Sequence, residues 1–227
     1  MNKLSDDSQK IIKRLKELAK LIKLHNEHYH QNDKPIISDG ELDKLLKENL
    51  DLNDFCAIGE IGIDLYWDKT NLLNQQDAFN QQILWAKEYD LPIVIHCRDA
   101  FDEVFEVLDQ QKSPELYGIF HCFTGDLIQA KRAIDLNFKL GIGGVITYKN
   151  GKIDKFLNEL PLKSIVLETD SPYLSPKPYR GKRNESSYLT LILNKVAECY
   201  QIPVNELAAI TTQNACLLYT SPSPRDS

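Results

Sequence analysis

The chain has 227 residues, of which 42% are hydrophobic and 26% are charged, and its formal net charge is −6. This composition is typical of a globular protein and excludes collagen-like, mucin-like and wholly disordered chains. The acidic balance argues against indiscriminate electrostatic binding of nucleic acid, but it is compatible with an enzyme that uses metal ions and a local basic loop.

The sequence carries no signal for a membrane or an oxidising compartment. No window approaches 18 consecutive apolar residues, so we expect no membrane-spanning helix. The first residues lack the apolar core of a secretory signal, which predicts a cytoplasmic location. The chain has an odd number of cysteines, five, which are widely spaced and include no CxxC pair. They therefore do not resemble a disulfide framework.

Residues 1–50 predict a short helical hairpin. Apolar residues recur at helical spacing between Ile11 and Ile22, and a proline-containing break precedes a second short helix. His28 and His30 form a His-x-His pair within this segment. Residues two apart on a helix point in different directions, so we do not expect these two imidazoles to share a metal ion.

From residue 51 onward, short apolar runs alternate with longer amphipathic segments. Strand alternating with helix predicts parallel βαβ units, and runs that are apolar on both faces are typical of parallel strands covered on both sides. The predicted strands are 55–63, 91–96, 116–123, 138–147 and 164–170. The predicted helices are 76–89, 101–111, 127–136, 153–160, 188–200 and 204–215.

Polar residues recur at the carboxyl ends of these predicted strands. In a (β/α) barrel, that edge is where catalytic sites are built. Imidazole and carboxylate together suit Zn, Mn, Fe or Mg, and the sequence does not distinguish among Mg, Mn and Zn. The residues concerned are Glu60, Asp64, His96, Arg98, Asp99, His121, Glu168 and Asp170.

Two cysteines, Cys97 and Cys122, lie directly beside the predicted ligands His96 and His121. Successive side chains on a strand point to opposite faces. We therefore expect both thiols to pack in the core and not to bind metal.

Six sequence blocks follow one another in order along residues 51–215. They are AIGEIGID (57–64), PIVIHCRDA (92–100), FHCFTG (120–125), LETDSPYL (167–174), RGKRNE (180–185) and TTQNA (211–215). Together they resemble the TatD family of metal-dependent DNases.

This resemblance implies a TIM-type barrel with two divalent metal ions at its carboxyl rim. Glu60 would bridge both ions, His96 and His121 would complete one site, and Asp170 would bind the other ion and handle a proton. The implied activity is hydrolysis of DNA phosphodiester bonds by metal-activated water, with Glu60 and Asp170 as catalytic residues. DNA is then the expected substrate, and no membrane or obligate protein partner is expected.

Basic residues near this predicted site are candidates for contacts with substrate phosphates. The alternative is an ordinary solvated run of charges. The residues are Arg98, Lys177, Arg180, Lys182 and Arg183.

The chain departs from the family at its beginning, where the family has a strand bearing a His-x-His pair. The matching segment supplies about five of the eight strands that a closed barrel requires. We therefore predict an α/β fold, an incomplete TIM-type barrel preceded by the helical hairpin. Because two ligands of the second metal site are missing, we expect one ion to bind and activity to be weak or absent.

Residues 1–48 resemble a different family. Segments 21–30 and 35–43 are similar to the N-terminal domain of NAD-dependent DNA ligases, which recognises the nicotinamide mononucleotide half of NAD. The matching residues are Tyr29, His30, Asp39 and Asp43. The alternative function is thus a ligase N-terminal fragment that binds nicotinamide mononucleotide. Ligation is not expected, since the adenylation domain is missing.

Residues 216–227 resemble a translated sequencing adaptor, and we predict that they form a disordered, non-native tail. A natural Ser/Pro-rich tail is the alternative. The predicted organisation is a ligase-like hairpin over 1–50, a TatD-like partial barrel over 51–215 and this tail, as in a chimeric reading frame. A third functional hypothesis keeps the metal site but assigns it a small ester or amide as substrate.

Overall fold

The computed structural model describes residues 55–66 and 69–219. The predicted hairpin therefore lies outside the described residues, together with the nucleotide-binding candidates Tyr29, His30, Asp39 and Asp43. Most of the predicted tail, residues 220–227, also lies outside them. These predictions remain predictions.

Five parallel strands form one sheet in the order β1-β2-β3-β4-β5, so strands that are consecutive in the chain are also neighbours in the sheet. This sequential parallel order is that of a (β/α) barrel segment. It confirms the predicted α/β class with five strands. The strands are β1 (Ile58–Asp64), β2 (Ile93–Arg98), β3 (Gly118–Phe120), β4 (Phe138–Ile142) and β5 (Ile165–Leu167).

Helices follow the strands in the predicted alternation. α1, α2 and α3 each connect one strand to the next, whereas α4 and α5 both follow β5. No helix within the described ranges is long and apolar enough to cross a membrane. The helices are α1 (Leu72–Glu88), α2 (Phe101–Gln110), α3 (Leu127–Asp135), α4 (Leu189–Tyr200) and α5 (Val204–Tyr219).

The helix predicted over 153–160 was wrong. The segment forms two short 3₁₀ turns, Ile153–Lys155 and Leu157–Glu159, and Leu160 is extended. Pro161 disfavours helical backbone at the residue before it, which leaves too few residues for an α-helix.

The final helix runs past the predicted domain boundary at residue 215, since Cys216–Tyr219 form its last turn. The buried Asn214 donates its side-chain amide to the carbonyls of Leu162 and Ile165, at 2.8 Å each. These two bonds join α5 to the amino end of β5.

The two faces of the sheet differ in composition. Ile95, Phe120 and Leu140 are buried in the main hydrophobic core, which includes residues of all five helices. Ile119 and Val166 are buried in a separate small cluster on the other face, together with Leu218 near the end of α5. Because side chains alternate along a strand, the polar residues that continue the second face are grouped together at its carboxyl edge.

Candidate metal centre

The imidazoles and carboxylates predicted from the sequence are grouped at the carboxyl edge of the sheet. Glu60 lies on β1 and His96 on β2, whereas His121 directly follows β3 and Asp170 lies three residues beyond β5. The ladder continues past the short strand β3, because the His121 amide donates to the Ile95 carbonyl at 2.9 Å. The regular parallel register thus brings together residues that are up to 110 positions apart in sequence.

Glu60 lies between the two histidines. Its Oε1 is 3.1 Å from His121 Nε2, and its Oε2 is 3.9 Å from His96 Nδ1. The side chain is 49% exposed, so one carboxylate faces both imidazoles from the solvent side of the site. This arrangement suits a carboxylate that binds a metal ion together with both rings.

Asp170 approaches the same nitrogen of His121, with Oδ1 3.3 Å from Nε2. Two donors bound at right angles to an ion at about 2.1 Å are roughly 3 Å apart. The separations of Glu60 and Asp170 from His121 Nε2 match this value. The donor types also suit a divalent ion, so the residues present fit the metal that the sequence predicts.

The environment of His121 is strongly anionic. Burial lowers the pKa of this imidazole, but hydrogen bonds to Asp170 and Glu168 and the charges of Glu168 and Glu60 raise it to about 10. Without a metal ion, a proton therefore supplies the positive charge that this cluster requires. Such a perturbed group in a cluster of acids is typical of a functional site.

Two further carboxylates hold the far sides of the imidazole rings. Glu168 Oε2 is 2.9 Å from His121 Nδ1, and Asp64 Oδ2 is 3.0 Å from His96 Nε2. The sequence pattern placed both acids at this edge but assigned them no role, because which ring nitrogen an acid faces depends on distances that spacing does not give.

Cys122 differs from its prediction. Its Sγ, one donor atom of His121 and one of Asp170 all lie within 4.8 Å of one another, so the thiol belongs to the site and does not point away. The strand ends at Phe120, and Cys122 has a φ of 45°, which interrupts the strand alternation on which the prediction depended. Burial and the charges of Glu168 and Asp170 raise the pKa of this thiol.

Cys97 agrees with its prediction. It packs against the main core, and burial raises the pKa of its thiol to about 12. A neutral, partly buried thiol is a poor metal ligand and a poor nucleophile.

Left-handed backbone occurs at three non-glycine residues of this edge. Asp99, Cys122 and Asp170 have φ of 53°, 45° and 55°. Such conformations cost about 1–3 kcal/mol each and cluster at functional sites. Aspartate is enriched among non-glycine residues with positive φ, whereas nothing in the sequence marks Cys122 as left-handed.

Of the predicted phosphate-binding residues, two arginines are stacked on tyrosines. Arg98 lies over the ring of Tyr66, 3.6 Å from its centroid, and Arg180 lies over Tyr148 at 4.4 Å. Lys177, Lys182 and Arg183 are exposed in the loop that follows Asp170. The role of these side chains in phosphate binding remains a prediction.

The loop after Asp170 is fixed by internal hydrogen bonds. The Asn184 side chain is 2% exposed and donates to the carbonyls of Thr169 and Tyr173. The Ser175 hydroxyl donates to the Lys182 carbonyl. The basic side chains are thus carried on ordered backbone beside the site, a feature that their charge alone does not predict.

A concavity of about 480 Å³ lies at the opposite, amino edge of the sheet. Its lining includes Lys139 and Lys163 but no histidine, cysteine or carboxylate. It therefore offers no metal-binding chemistry.

Comparison with known proteins agrees with this geometry. The sequence model of the family described as TatD related DNase matches residues 3–220. The chain belongs to this family. The match covers more of the chain than residues 51–215, where the motif blocks occur.

Individual relatives align over a shorter stretch. The uncharacterized metal-dependent hydrolase YabD of Bacillus subtilis (strain 168) is 43% identical over 164 residues, which are 72% of this chain and 64% of YabD. YcfH of Escherichia coli (strain K12), also an uncharacterized metal-dependent hydrolase, is 34% identical over 164 residues, 72% of this chain and 62% of YcfH. The chain thus spans less than two thirds of the length of these relatives.

A solved structure gives the same family and fold. YjjV, a TatD homologue from Escherichia coli K12, superposes with a TM-score of 0.77 at 31% identity, covering 82% of this chain and 72% of YjjV. The five-stranded sheet described above is therefore part of a TatD-type α/β barrel fold.

Proposed function

We propose that this chain is a metal-dependent hydrolase of the TatD type that cleaves phosphodiester bonds of DNA. The observation that carries the proposal is the position of Glu60, whose two oxygens face His96 Nδ1 and His121 Nε2. Membership of the family and relatives named as metal-dependent hydrolases support it.

Glu60, His96, His121 and Asp170 would hold the ion. A divalent ion bound there lowers the pKa of a water molecule and polarises a phosphoryl oxygen. Of the five histidines in the chain, only His96 and His121 belong to the described residues. We propose that these two imidazoles, together with Glu60 and Asp170, hold one ion.

Asp170 is the residue we assign to proton transfer. Its side chain is 26% exposed, so the carboxylate is accessible to a water molecule while it remains 3.3 Å from His121 Nε2. An ionised carboxylate at this place accepts a proton from the attacking water and returns it to the leaving oxygen.

The substrate assignment depends on charge. The whole chain is acidic, so a polyanion requires local positive charge to approach a cluster of carboxylates. Arg98 and Arg180 lie on tyrosine rings, and a guanidinium can bind a phosphate through two parallel N–H bonds. Lys182 and Arg183 add exposed positive charge on the ordered loop.

The test is an assay of metal-stripped protein reloaded with Mn²⁺, Zn²⁺ or Mg²⁺, on linear DNA, bis(p-nitrophenyl) phosphate and p-nitrophenyl acetate. We expect metal-dependent cleavage of the two phosphodiesters, little hydrolysis of the acetate, and loss of both activities in Glu60→Gln. Glu106→Gln, an exposed change on the surface of α2, is the charge-matched control. Hydrolysis of the acetate alone would favour the ester hypothesis and contradict the assignment of DNA.

A further inference from the structure

A lysine interrupts an apolar face of the sheet at its amino edge. Lys139 of β4 is in register with Ile119 of β3, so its half-buried side chain lies on the same face as the small cluster of Ile119 and Val166. Lysine is seldom placed among apolar side chains unless its charge has a partner. The charge at this position therefore calls for a counter-charge.

Lys139 and Lys163 both line the concavity of about 480 Å³ at this edge. Lys139 Nζ donates to the backbone carbonyl of Lys163 at 2.8 Å. An ammonium group has three N–H donors, and this bond uses one of them. The bond fixes the Lys139 ammonium beside the segment that carries Lys163, so that both cations border one space.

Neither lysine has a negative partner within the part of the chain that the structure describes. No ion pair there joins Lys139 or Lys163 to a carboxylate, and the described lining of the concavity contains no acidic residue, whereas the exposed Lys195 pairs with Glu198 at 3.1 Å. Burial lowers the pKa of Lys139, and the positive charge of Lys163 lowers it further. The two charges therefore repel each other in a partly desolvated space, and a bound anion would relieve this repulsion.

The rest of the lining offers apolar surface beside this positive charge. Tyr117 and Ile134 are both half-buried and border the same concavity. The volume falls within the range of small-molecule binding sites, which are mostly apolar with a few polar groups that fix orientation. A ligand that fits this lining carries negative charge at one end and an apolar body at the other.

We propose that this amino-edge concavity binds a small organic phosphate, whose phosphate group contacts Lys139 and Lys163 and whose apolar body lies against Tyr117 and Ile134. Lysine offers phosphate a compact positive charge with rotatable donors. Two lysines match the charge of nearly two that a phosphate monoester carries at neutral pH, whereas a carboxylate supplies only one.

The test is an NMR titration of ¹⁵N-labelled, metal-stripped protein with phenyl phosphate at constant ionic strength. We expect saturable shifts of the backbone amides of Gly118, Lys139 and Ser164, which line the concavity, and no comparable shifts at Glu60 and His121. Inorganic phosphate lacks the apolar body and benzoate carries a single charge, so both should bind more weakly than phenyl phosphate.

Substitution of the lysines assigns the binding to their charges. Lys139→Gln and Lys163→Gln should each weaken phenyl phosphate binding about tenfold or more, as expected for a lost charge-assisted hydrogen bond. Lys163→Gln tests the proposal even if Lys139→Gln disturbs folding, because Lys139 bonds the backbone of residue 163 and not its side chain. The control is Lys155→Gln, which removes an exposed charge from the 3₁₀ turn Ile153–Lys155 and should leave the affinity within about twofold.

Absence of saturable binding, shifts confined to Glu60 and His121, or equal affinities in Lys163→Gln and Lys155→Gln would overturn the inference. Benzoate or inorganic phosphate that binds as tightly as phenyl phosphate would do the same. A 5′-phosphorylated DNA oligonucleotide carries the same group on a polymer, and its binding in place of phenyl phosphate would contradict the assignment of a small molecule. Because this site requires no metal ion, its failure would leave the proposed hydrolase unaffected, and the reverse also holds.

Discussion

At the scale of single residues, the protonation of the site determines how it binds a metal ion. Burial opposes the charge on His121, yet the hydrogen bonds to Asp170 and Glu168 raise its pKa from 6.5 to about 10. The protonated ring therefore stabilises the metal-free fold fully below pH 6.5, and this contribution is lost as the pH rises toward 10.

Metal binding must remove this proton, so we expect apparent Mn²⁺ affinity to rise with pH. The expected slope is up to about tenfold per pH unit between pH 6.5 and 8.5, with release of about one proton per ion. Calorimetric titration in two buffers of different ionisation enthalpy measures both quantities. An affinity independent of pH would contradict the assigned ring environment.

Thiol reactivity tests the burial of the same region. We expect iodoacetamide at pH 8 to modify the exposed Cys56 and Cys216 and to spare Cys97 and Cys122. A pKa of about 12 leaves roughly one Cys97 thiol in 10⁴ ionised at that pH, so little reactive thiolate is present. Peptide mass spectrometry measures the modification, and unfolded protein, in which all five react, is the control. Equal rates for Cys97 and Cys56 would show that the core packing is wrong.

The residues that form the candidate metal centre were predictable from the sequence, but the role of each residue was only partly predictable. The sequence identified Glu60, His96, His121 and Asp170 from their places at strand ends, and the structure brings them together. The positions of Glu168 and Asp64 behind the rings, and of Cys122 beside the site, depend on side-chain rotamers and on a left-handed φ that no local pattern encodes.

At the scale of elements, β4 shapes the site although it carries no predicted ligand. Gly141 lies where a Cβ atom would be 2.7 Å from Glu168 Oε2, whereas a Cβ atom on Gly143 would be 3.7 Å from Glu168 Oε1. The strand therefore makes room for the carboxylate that contacts His121.

Gly141→Ala should displace Glu168 and weaken Mn²⁺ binding by about 10–100-fold, the range typical of lost outer contacts to a ligating histidine. Gly143→Ala is the comparison variant: its Cβ atom would lie 3.3 Å from Cys122 Sγ and 3.7 Å from Glu168 Oε1, so we expect a smaller change, of no more than about threefold. Calorimetric titration of both variants, with circular dichroism to verify folding, gives the comparison. Equal affinities in the two variants would show that Gly141 of β4 does not position Glu168 for metal binding.

The loop after Asp170 should contribute to binding of DNA but not of metal. In Lys182→Ala/Arg183→Ala, we expect a higher KM for DNA and a shallower salt dependence, because two candidate phosphate contacts are lost. The KM for bis(p-nitrophenyl) phosphate and the Mn²⁺ affinity should not change.

The control for that variant is Lys112→Ala/Lys155→Ala, which removes two exposed charges that follow α2 and lie in the 3₁₀ turn Ile153–Lys155. A comparable rise in KM for DNA in this control would mean that overall charge, and not the loop, determines substrate binding.

Strands and most helices were predictable, because apolar runs and amphipathic periods are properties of the local sequence. The exceptions have physical causes. Residues 153–160 form 3₁₀ turns because Pro161 limits the segment, and residues 144–147, predicted as the end of a strand, form another 3₁₀ turn after β4.

At the scale of the whole molecule, the parallel order of five strands converts distant sequence positions into one cluster. The ligands lie on or just after β1, β2, β3 and β5, and β4 lies between β3 and β5, so the site needs correct register in every pair from β1 to β5. The fold class was predictable from the alternation and the family resemblance. The sequence predicted that the polar side chains at the strand ends lie at one edge of the sheet. It did not predict which of these side chains contact one another.

The central claim is that Glu60, His96, His121 and Asp170 bind a divalent ion. The direct test is calorimetric titration of Mn²⁺ into metal-stripped protein, alongside Glu60→Gln and the exposed control Glu106→Gln. We predict saturable binding of one ion by the unmodified protein and by the control, and at least a 100-fold loss of affinity in Glu60→Gln, more than outer contacts typically contribute. Absence of binding, or the same affinity in Glu60→Gln, would contradict the account.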